Sequence, residues 1–223
     1  MKNRTIVITG ATGVLGNLVA KTFAGRGDNL ALVSHDQTKL DSLTRDLKLP
    51  ETHLLTLAAD LRDGEAVHSA AEAVAKKFGS VHGLIHLVGG WTGGKTIPET
   101  PKADLEFMLN NHVHTTFNLF QAFSKPLAAN NWGRVIVISA STVPNPPGKA
   151  SAYTAAKAAQ ENLVLTLSAE LKASSVTSNI IQVKSIDAGN KGTGTTPAEI
   201  VSAILYLFSD EAGRVNGARI PLY

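Results

Sequence analysis

The stretch Thr5-Ile6-Val7-Ile8-Thr9-Gly10-Ala11-Thr12-Gly13-Val14-Leu15-Gly16 decides the fold. Its first five residues are apolar or β-branched, as in a strand buried on both faces, and an amphipathic helical pattern begins at Leu15. Between them, Gly10 permits a tight turn, Gly13 lets the backbone approach a pyrophosphate, and Gly16 lets the helix pack closely on the sheet. The stretch therefore predicts a strand, a phosphate-binding turn and a helix, with a ligand-free tight turn as the alternative interpretation.

Short β-branched runs alternate with longer helical patterns along the rest of the chain. This alternation is typical of βαβ units and predicts an α/β fold with a parallel sheet of about seven strands flanked by helices. Residues 89–101 and 187–197 are rich in Gly, Thr and Pro, and we expect loops there, at the carboxyl ends of strands, where open α/β sheets bind ligands. The expected strands are residues 5–9, 30–34, 54–58, 83–88, 134–139, 179–183 and 219–222.

Length and composition indicate one globular domain. The chain has 223 residues, 43% of them hydrophobic and 17% charged, which predicts a single domain over residues 1–223. A net charge of +3 is too small to imply a nucleic-acid partner, and without cysteine there is no disulfide scaffold, thiolate nucleophile or cysteine-ligated zinc. No apolar run has the length of a signal peptide core or a membrane span. We therefore expect a cytoplasmic protein with no metal site and no membrane or nucleic-acid partner.

The end of the second expected strand bears on the choice between NAD and NADP. An acidic residue about twenty positions into such a unit binds the ribose hydroxyls of NAD, whereas a neutral or basic residue accommodates the 2′-phosphate of NADP. Ser34 occupies that position and His35 follows it. NADP(H) is therefore the favoured cofactor. NAD(H) stays open if Asp36 takes the acidic role and His35 is only a surface residue.

Tyr153 and Lys157 open a later helical pattern at a spacing of four, which places both side chains on one helix face. A lysine cation near a phenol favours the phenolate, and so lowers a pKa that is otherwise about 10. Such a tyrosine exchanges protons with an alcohol or a carbonyl, as hydride transfer requires. The alternative is an ordinary, partly exposed pair.

The glycine turn, Asp60, Gly89-Gly90 and the pair Tyr153 and Lys157 stand in the order and spacing of the short-chain dehydrogenase/reductase family, which the chain resembles over nearly its whole length. The resemblance implies a single-domain, Rossmann-like, doubly wound sheet. It implies an NAD(P)(H)-dependent oxidoreductase acting on a carbonyl, alcohol, quinonoid or imine substrate, with Tyr153 as general acid/base and Lys157 as its ribose-binding partner. The implied cofactor-binding residues are Gly10, Thr12, Gly13, Val14, Leu15, Ser34, His35, Asp60, Leu61, Val88, Gly89, Gly90, Tyr153 and Lys157.

The chain departs from the family at three places. Where the family carries a serine thirteen residues before the tyrosine, this chain has Ala140, so Ser139 or Ser141 is left to bind the substrate oxygen. Where the family often has an asparagine, matching this sequence to the family's pattern places His112. This histidine either relays protons or is a helix residue with no role in catalysis. The family's Pro-Gly after the sixth strand is missing, which predicts a short substrate loop over residues 184–196. Such a loop indicates an open site, a planar or bulky substrate, or assistance from a neighbouring subunit.

One of these departures, together with the loop after the fourth strand, resembles dihydropteridine reductase-like members of the family. The run from Gly89 to Gly94 and the alanine at position 140 carry that resemblance, which places Trp91 beside the nicotinamide, able to stack on a planar substrate. Plain loop packing of Trp91 is the other interpretation. The family's mode of association implies a homodimer or homotetramer through the helices expected over residues 104–129 and 152–173. The rival hypotheses are a regulator that binds the cofactor without catalysis and, from the pI alone, a nucleic-acid binder.

Overall fold

A parallel sheet forms the centre of the molecule. The computed structural model describes residues 3–223, so the first two residues of the expected domain lie outside the described range. The strands are β1 (Thr5–Thr9), β2 (Asn29–Ser34), β3 (Leu54–Ala58), β4 (Gly83–His86), β5 (Gly133–Ala140), β6 (Val176–Val183) and β7 (Arg219–Leu222). They pair in the order β3-β2-β1-β4-β5-β6-β7, and every pair is parallel. The predicted single-domain, doubly wound α/β fold is confirmed.

Two strands differ by more than one residue from the bounds expected from the sequence. β4 ends at His86 rather than at residue 88, because pairing with β5 stops at the register His86 with Val137. β6 begins at Val176 instead of residue 179, because Val176 already pairs with Gly133 at the start of β5. The earlier end of β4 releases residues 87–90 into the loop that crosses the carboxyl edge of the sheet.

Helices cover both faces of the sheet, as the nearly continuous apolar strands require. Val19, Phe23 and Ile204 lie in the core of one face, and Val67, Phe123 and Val164 in the core of the other. The helices are α1 (Val14–Gly25), α2 (Gln37–Leu47), α3 (Gly64–Phe78), α4 (Lys102–Leu109), α5 (Thr115–Ala128), α6 (Ser151–Glu170) and α7 (Pro197–Leu207). α1, α2 and α7 pack on the first face, and α3, α5 and α6 on the second.

The helix expected over residues 104–129 is interrupted. A π-helical turn, Asn110–His114, separates α4 from α5. The side chains of Asn111, Thr115 and Thr116 each donate a hydrogen bond to the backbone carbonyl four residues earlier, and groups of this kind disturb a regular helix. Such turns widen the helix by one residue and occur often at functional sites. This one points His112 into the protein, where it is buried.

The strand order reverses between β1 and β4: after β1 the chain enters α1 on the first face of the sheet, whereas after β4 it leads to α5 on the second face. In doubly wound sheets the resulting crevice is the place where ligands bind. Within residues 3–223, no helix combines the length and the apolar character needed to cross a bilayer.

Candidate active site

The glycine turn between β1 and α1 lies at the edge of this crevice. Gly10 has φ of 70°, a left-handed conformation that glycine adopts without strain, and its amide donates to Val33 O at 3.0 Å. A Cβ atom on Gly16 would overlap the carbonyl oxygen of Gly10, so only glycine lets α1 pack this closely on the turn. Two of the three glycines are therefore required by geometry.

The first turn of α1 is free to receive an anion. Gly13 is the N-cap residue and supplies no side-chain hydrogen bond, and no acidic residue lies in the first turn. The first amides of a helix point outward and carry the positive end of its dipole, which suits a phosphate. The glycine cradle and the uncapped helix thus fit the pyrophosphate of a dinucleotide.

A cavity of about 510 Å³ extends from this turn across the ends of β2, β3 and β4. Lys39 and Arg62 also line it, and the sequence analysis missed both because they lie in α2 and after β3, outside any recognised motif. Val14 does not line it, and its side chain points to solvent. The residues expected at the cofactor that do line it are Gly10, Thr12, Gly13, Ser34, His35, Asp60, Leu61, Val88 and Gly89.

Charged pairs surround this first cavity. Arg62 holds Asp60 through three side-chain hydrogen bonds of 2.6–3.1 Å, and these contacts lower the pKa of Asp60. Asp36 caps α2 by accepting from the amide of Lys39 and lies 3.3 Å from its ammonium. Asp36 does not line the cavity, whereas Ser34 does, with its hydroxyl 2.8 Å from that of Thr12.

A second cavity, of about 740 Å³, continues from the first. Leu87, Val88 and Gly89 line both cavities, so the two form one cleft along the carboxyl edge of the sheet. Of the two candidate serines, Ser139 lines the second cavity and Ser141 lines neither. Other residues expected at the site that line the second cavity are Leu15, Gly90, Trp91, Tyr153 and Lys157.

Buried hydrogen bonds fix the position of Lys157. Its ammonium donates to Ile138 O at 2.8 Å and to Gln160 Oε1 at 2.9 Å. The amide of Gln160 in turn donates to Thr116 Oγ1 at 2.8 Å and to His112 O at 3.3 Å. Gln160 was not singled out in the sequence, because it belongs to no motif, although its position three residues after Lys157 placed it on the same helix face. It ties α6 to the π-helical turn.

The acid-base properties of the pair differ in part from the expectation. Burial raises the pKa of Tyr153 above its usual value of 10, whereas the sequence analysis expected Lys157 to lower it. Burial also lowers the pKa of Lys157 from 10.5 to about 7, against the opposing charge of Glu161. Desolvation therefore dominates over the charge of the lysine, and Tyr153 is a neutral phenol at pH 7.

Three buried polar atoms on the wall of the second cavity have no hydrogen-bond partner among the described residues: Ser139 Oγ, Thr142 Oγ1 and His112 Nδ1. His112 Nε2 lies 3.0 Å from Gly90 O, and because a carbonyl only accepts, this nitrogen carries the proton and Nδ1 is an acceptor. Burial lowers the pKa of His112 to about 3, so the ring is neutral. Buried polar groups are ordinarily paired, and these three suit the polar atoms of a ligand.

The segment expected as an open substrate loop, residues 184–196, is held in a fixed conformation. The Asp187 carboxylate accepts from the amides of Gly192 and Thr193 at 2.7 and 3.2 Å, and Ile186 pairs with Thr195. Only Lys184, Ser185 and Ile186 reach the cavity. Trp91, at the mouth, is 66% exposed.

Comparisons with known proteins agree with this geometry. The sequence profile of the short chain dehydrogenase family matches residues 4–196. The chain is 23% identical to 2,3-dihydro-2,3-dihydroxybenzoate dehydrogenase of Bacillus subtilis, over 97% of this chain and 93% of that one. It is 25% identical to the 3-oxoacyl-[acyl-carrier-protein] reductase MabA of Mycobacterium tuberculosis, over 99% and 91% of the two chains.

Solved structures share the fold. The structure of an NAD⁺-bound xylitol dehydrogenase superposes with a TM-score of 0.87 at 19% identity, covering 98% of this chain and 97% of the other. A short-chain type dehydrogenase/reductase from Mycobacterium ulcerans superposes with a TM-score of 0.89 at 21% identity, covering 100% and 89%. With the family profile spanning most of the chain, the protein belongs to the short-chain dehydrogenase family and is an NAD(P)-dependent oxidoreductase.

Proposed function

We propose that the protein is a reductase that transfers a hydride from NADPH to a carbonyl, quinonoid or imine carbon. The observation that carries this proposal is the continuous cleft, which begins at the uncapped turn of α1 and ends at Tyr153 and Lys157, with residues 87–89 lining both parts. A dinucleotide laid along it has its pyrophosphate at α1, its adenosine toward β2 and β3, and its nicotinamide toward Tyr153.

The charges of the first cavity support NADPH over NADH. Ser34, His35, Lys39 and Arg62 line the wall where the adenosine ribose lies, and they offer hydroxyl, imidazole and cationic groups to a 2′-phosphate. The carboxylate that would favour NADH, that of Asp36, is committed to the amide and ammonium of Lys39 outside the cavity. NADH binds the same cleft without these contacts.

The proton in the reduction comes from Tyr153. NADPH, when bound, supplies a hydride from C4 of its nicotinamide and becomes NADP⁺. The substrate carbon gains that hydride, and its oxygen gains the phenolic proton of Tyr153, which burial keeps neutral. Lys157, one helical turn from Tyr153, donates to the nicotinamide ribose with its remaining N–H group and stabilises the phenolate that forms.

We assign the role of the missing family serine to Ser139 rather than to Ser141. Ala140 has no hydroxyl, and Ser141 does not line the cleft. Ser139 Oγ is buried, lines the second cavity and has no partner within residues 3–223, so it is available to donate to the substrate oxygen. Trp91 covers the nicotinamide side of the cleft and residues 184–186 the other side.

We also propose an oligomeric assembly and a cellular location for the protein. Phe107 and Phe117 are about half exposed on α4 and α5, and an exposed apolar helix surface of this kind supports a homodimer or homotetramer. We propose that this assembly acts in the cytoplasm on a small-molecule substrate. It has no nucleic-acid partner.

The test is Tyr153→Phe, assayed with NADPH and 4-carboxybenzaldehyde. Loss of one general acid lowers turnover by about 10²- to 10⁴-fold, while the dissociation constant of NADPH stays within about threefold of the wild-type value. Full turnover by the variant contradicts the proposed mechanism. Tight NADPH binding by the wild type without turnover of carbonyl, quinonoid or imine compounds favours the non-catalytic regulator that Ala140 suggests.

A further inference from the structure

The second cavity is lined by cations and by no anion. Lys149, Lys157 and Lys184 line it, and no aspartate or glutamate does. The first cavity differs, because Asp60 lies in its wall. Lys157 is committed to Ile138 O and Gln160, but Lys149 and Lys184 are exposed and belong to no ion pair in the part of the chain that the structure describes. Two uncompensated cations thus border the substrate end of the cleft.

Lys149 is held close to the exposed indole of Trp91. The carbonyl oxygen of Lys149 accepts a hydrogen bond of 2.7 Å from the amide of Gly94, which joins the loop before α6 to the loop after β4. A Cβ atom on Gly93 would meet the Trp91 ring at 2.9 Å and Lys149 O at 3.0 Å, so the indole and the lysine backbone both contact this glycine. The backbone of Lys149 therefore lies beside the indole, and its exposed side chain lines the same cavity.

The part of the second cavity at the start of α6 also suits a negatively charged group and polar atoms of a ligand. α6 begins there with Ala150 as an N-cap residue that makes no side-chain hydrogen bond, and no acidic residue lies in its first turn. Ser139, only 2% exposed, lines the same cavity and its buried hydroxyl has no partner within residues 3–223, and His112 Nδ1 adds an acceptor. These groups match the carbonyl oxygen of a substrate and a neighbouring hydroxyl or N–H group.

We propose that the substrates are planar carbonyl compounds that carry an anionic group, such as a carboxylate, at the end away from the reacting carbon. The ring stacks on Trp91, the anionic group lies between Lys149 and Lys184, and the carbonyl oxygen meets Tyr153 and Ser139. This inference rests on the proposed function and adds the charge and shape of its substrate. The reaction is that already given, in which RCHO, NADPH and a proton become RCH₂OH and NADP⁺.

The experiment compares 4-carboxybenzaldehyde with its methyl ester, methyl 4-formylbenzoate. The two probes share the ring and the aldehyde and differ in the negative charge. The wild type is expected to show a kcat/KM for the acid about tenfold or more above that for the ester, and raised salt lowers this ratio by screening. Lys149→Gln and Lys184→Gln each lower the ratio roughly threefold to tenfold. Lys191→Gln, a lysine of the same loop that does not line the cavity, leaves it unchanged.

Binding separates failure of this inference from failure of the proposed function. Terephthalate is titrated calorimetrically into the protein saturated with NADP⁺, beside the neutral dimethyl ester. If terephthalate binding weakens in Lys149→Gln and Lys184→Gln, the inference of an anionic substrate is supported, whether or not the aldehydes are reduced. If neither aldehyde is reduced, only the proposal that the protein is a reductase fails. Equal kcat/KM for acid and ester, or terephthalate binding unaffected by both substitutions, overturns the inference. A weakened NADP⁺ affinity in Lys184→Gln with the acid-to-ester ratio intact overturns it as well, since Lys184 then serves the cofactor.

Discussion

Lys157 carries a buried ammonium, which has two protein acceptors and a pKa lowered by burial to about 7. A lysine is cationic below its pKa, so the charge that stabilises the Tyr153 phenolate is lost as the pH rises through this value. We therefore predict that kcat/KM with NADPH falls as the pH rises through about 7. His86 and His112, with pKa values of about 3, stay neutral throughout this range.

Gln160 provides the matched test of this assignment. Its Oε1 atom accepts from the Lys157 ammonium, so Gln160→Leu removes a contact that favours the charged form and moves the falling limb to lower pH. Gln160→Glu places a carboxylate at the same atom and moves the limb to higher pH. The measurement is the pH profile of kcat/KM for both variants. Shifts in the same direction, or none, would mean that Gln160 acts only in packing.

Cofactor choice is also a property of single side chains. Ser34→Asp places a carboxylate beside the expected 2′-phosphate, and Lys39→Gln removes a cation from the same wall. Charge-assisted hydrogen bonds contribute about 1.5–3 kcal/mol, so we predict that each substitution weakens NADPH binding by tenfold or more. NADH binding stays within about threefold in Lys39→Gln and is unchanged or tighter in Ser34→Asp, whose carboxylate can accept from the ribose hydroxyls. The check is a fluorescence titration with each nucleotide. Equal losses for both nucleotides would contradict a 2′-phosphate site.

The sequence predicted those residues whose chemistry follows from a local spacing. Gly10, Gly13, Ser34, Tyr153 and Lys157 were found in this way, and all five line the cleft. Gln160, Thr142 and Lys149 were missed, because their importance depends on which elements meet in space. The raised pKa of Tyr153 was missed for a related reason, since burial is a property of the fold and not of the spacing to Lys157.

At the scale of elements, the contact of α1 with the glycine turn gives a stability prediction. A methyl group on Gly16 overlaps Gly10 O, whereas one on Gly13 would lie 3.4 Å from the same atom. We expect Gly16→Ala to lower the free energy of unfolding by about 1–3 kcal/mol, as overpacking typically does, and Gly13→Ala to change it far less. Urea denaturation of both variants measures the difference. Equal losses would show that the close approach of α1 does not limit this position.

The helices expected from the sequence were predicted in approximate place but not in detail. The pattern over residues 104–129 is apolar at helical spacing throughout, and hydrophobic spacing does not distinguish a regular helix from one with a π-helical turn. Side-chain hydrogen bonds to the backbone from Asn111, Thr115 and Thr116 accompany the turn. At this turn the His112 ring contacts the carbonyl oxygen of Gly90, and the side-chain amide of Gln160 donates to the carbonyl oxygen of His112.

At the scale of the whole molecule, an ion pair between a buried carboxylate and a half-exposed guanidinium joins α6 to the edge strand β7. Glu161 is fully buried, and its carboxylate accepts from Arg219 at 2.6 Å and from Gln182 at 2.9 Å. Arg219→Met leaves that charge without its cation, and we predict a loss of about 2–4 kcal/mol in the free energy of unfolding. The double variant with Glu161→Gln is expected to recover part of the loss. Additive losses in thermal or urea unfolding would contradict coupling between the two residues.

We propose that one dinucleotide binds along the whole cleft at the carboxyl edge of the sheet, from the α1 turn to Tyr153. Trp91 lines the nicotinamide end, whereas Trp132 is stacked against Arg4 and Arg134 away from the cleft, so Trp91→Phe identifies the reporting residue. The most direct measurement is a titration with NADPH and, separately, NADH, followed by energy transfer from Trp91 to the bound nicotinamide. Saturable binding of both nucleotides, with NADPH about tenfold tighter or more, is the predicted result. A folded protein that binds neither nucleotide would contradict the account.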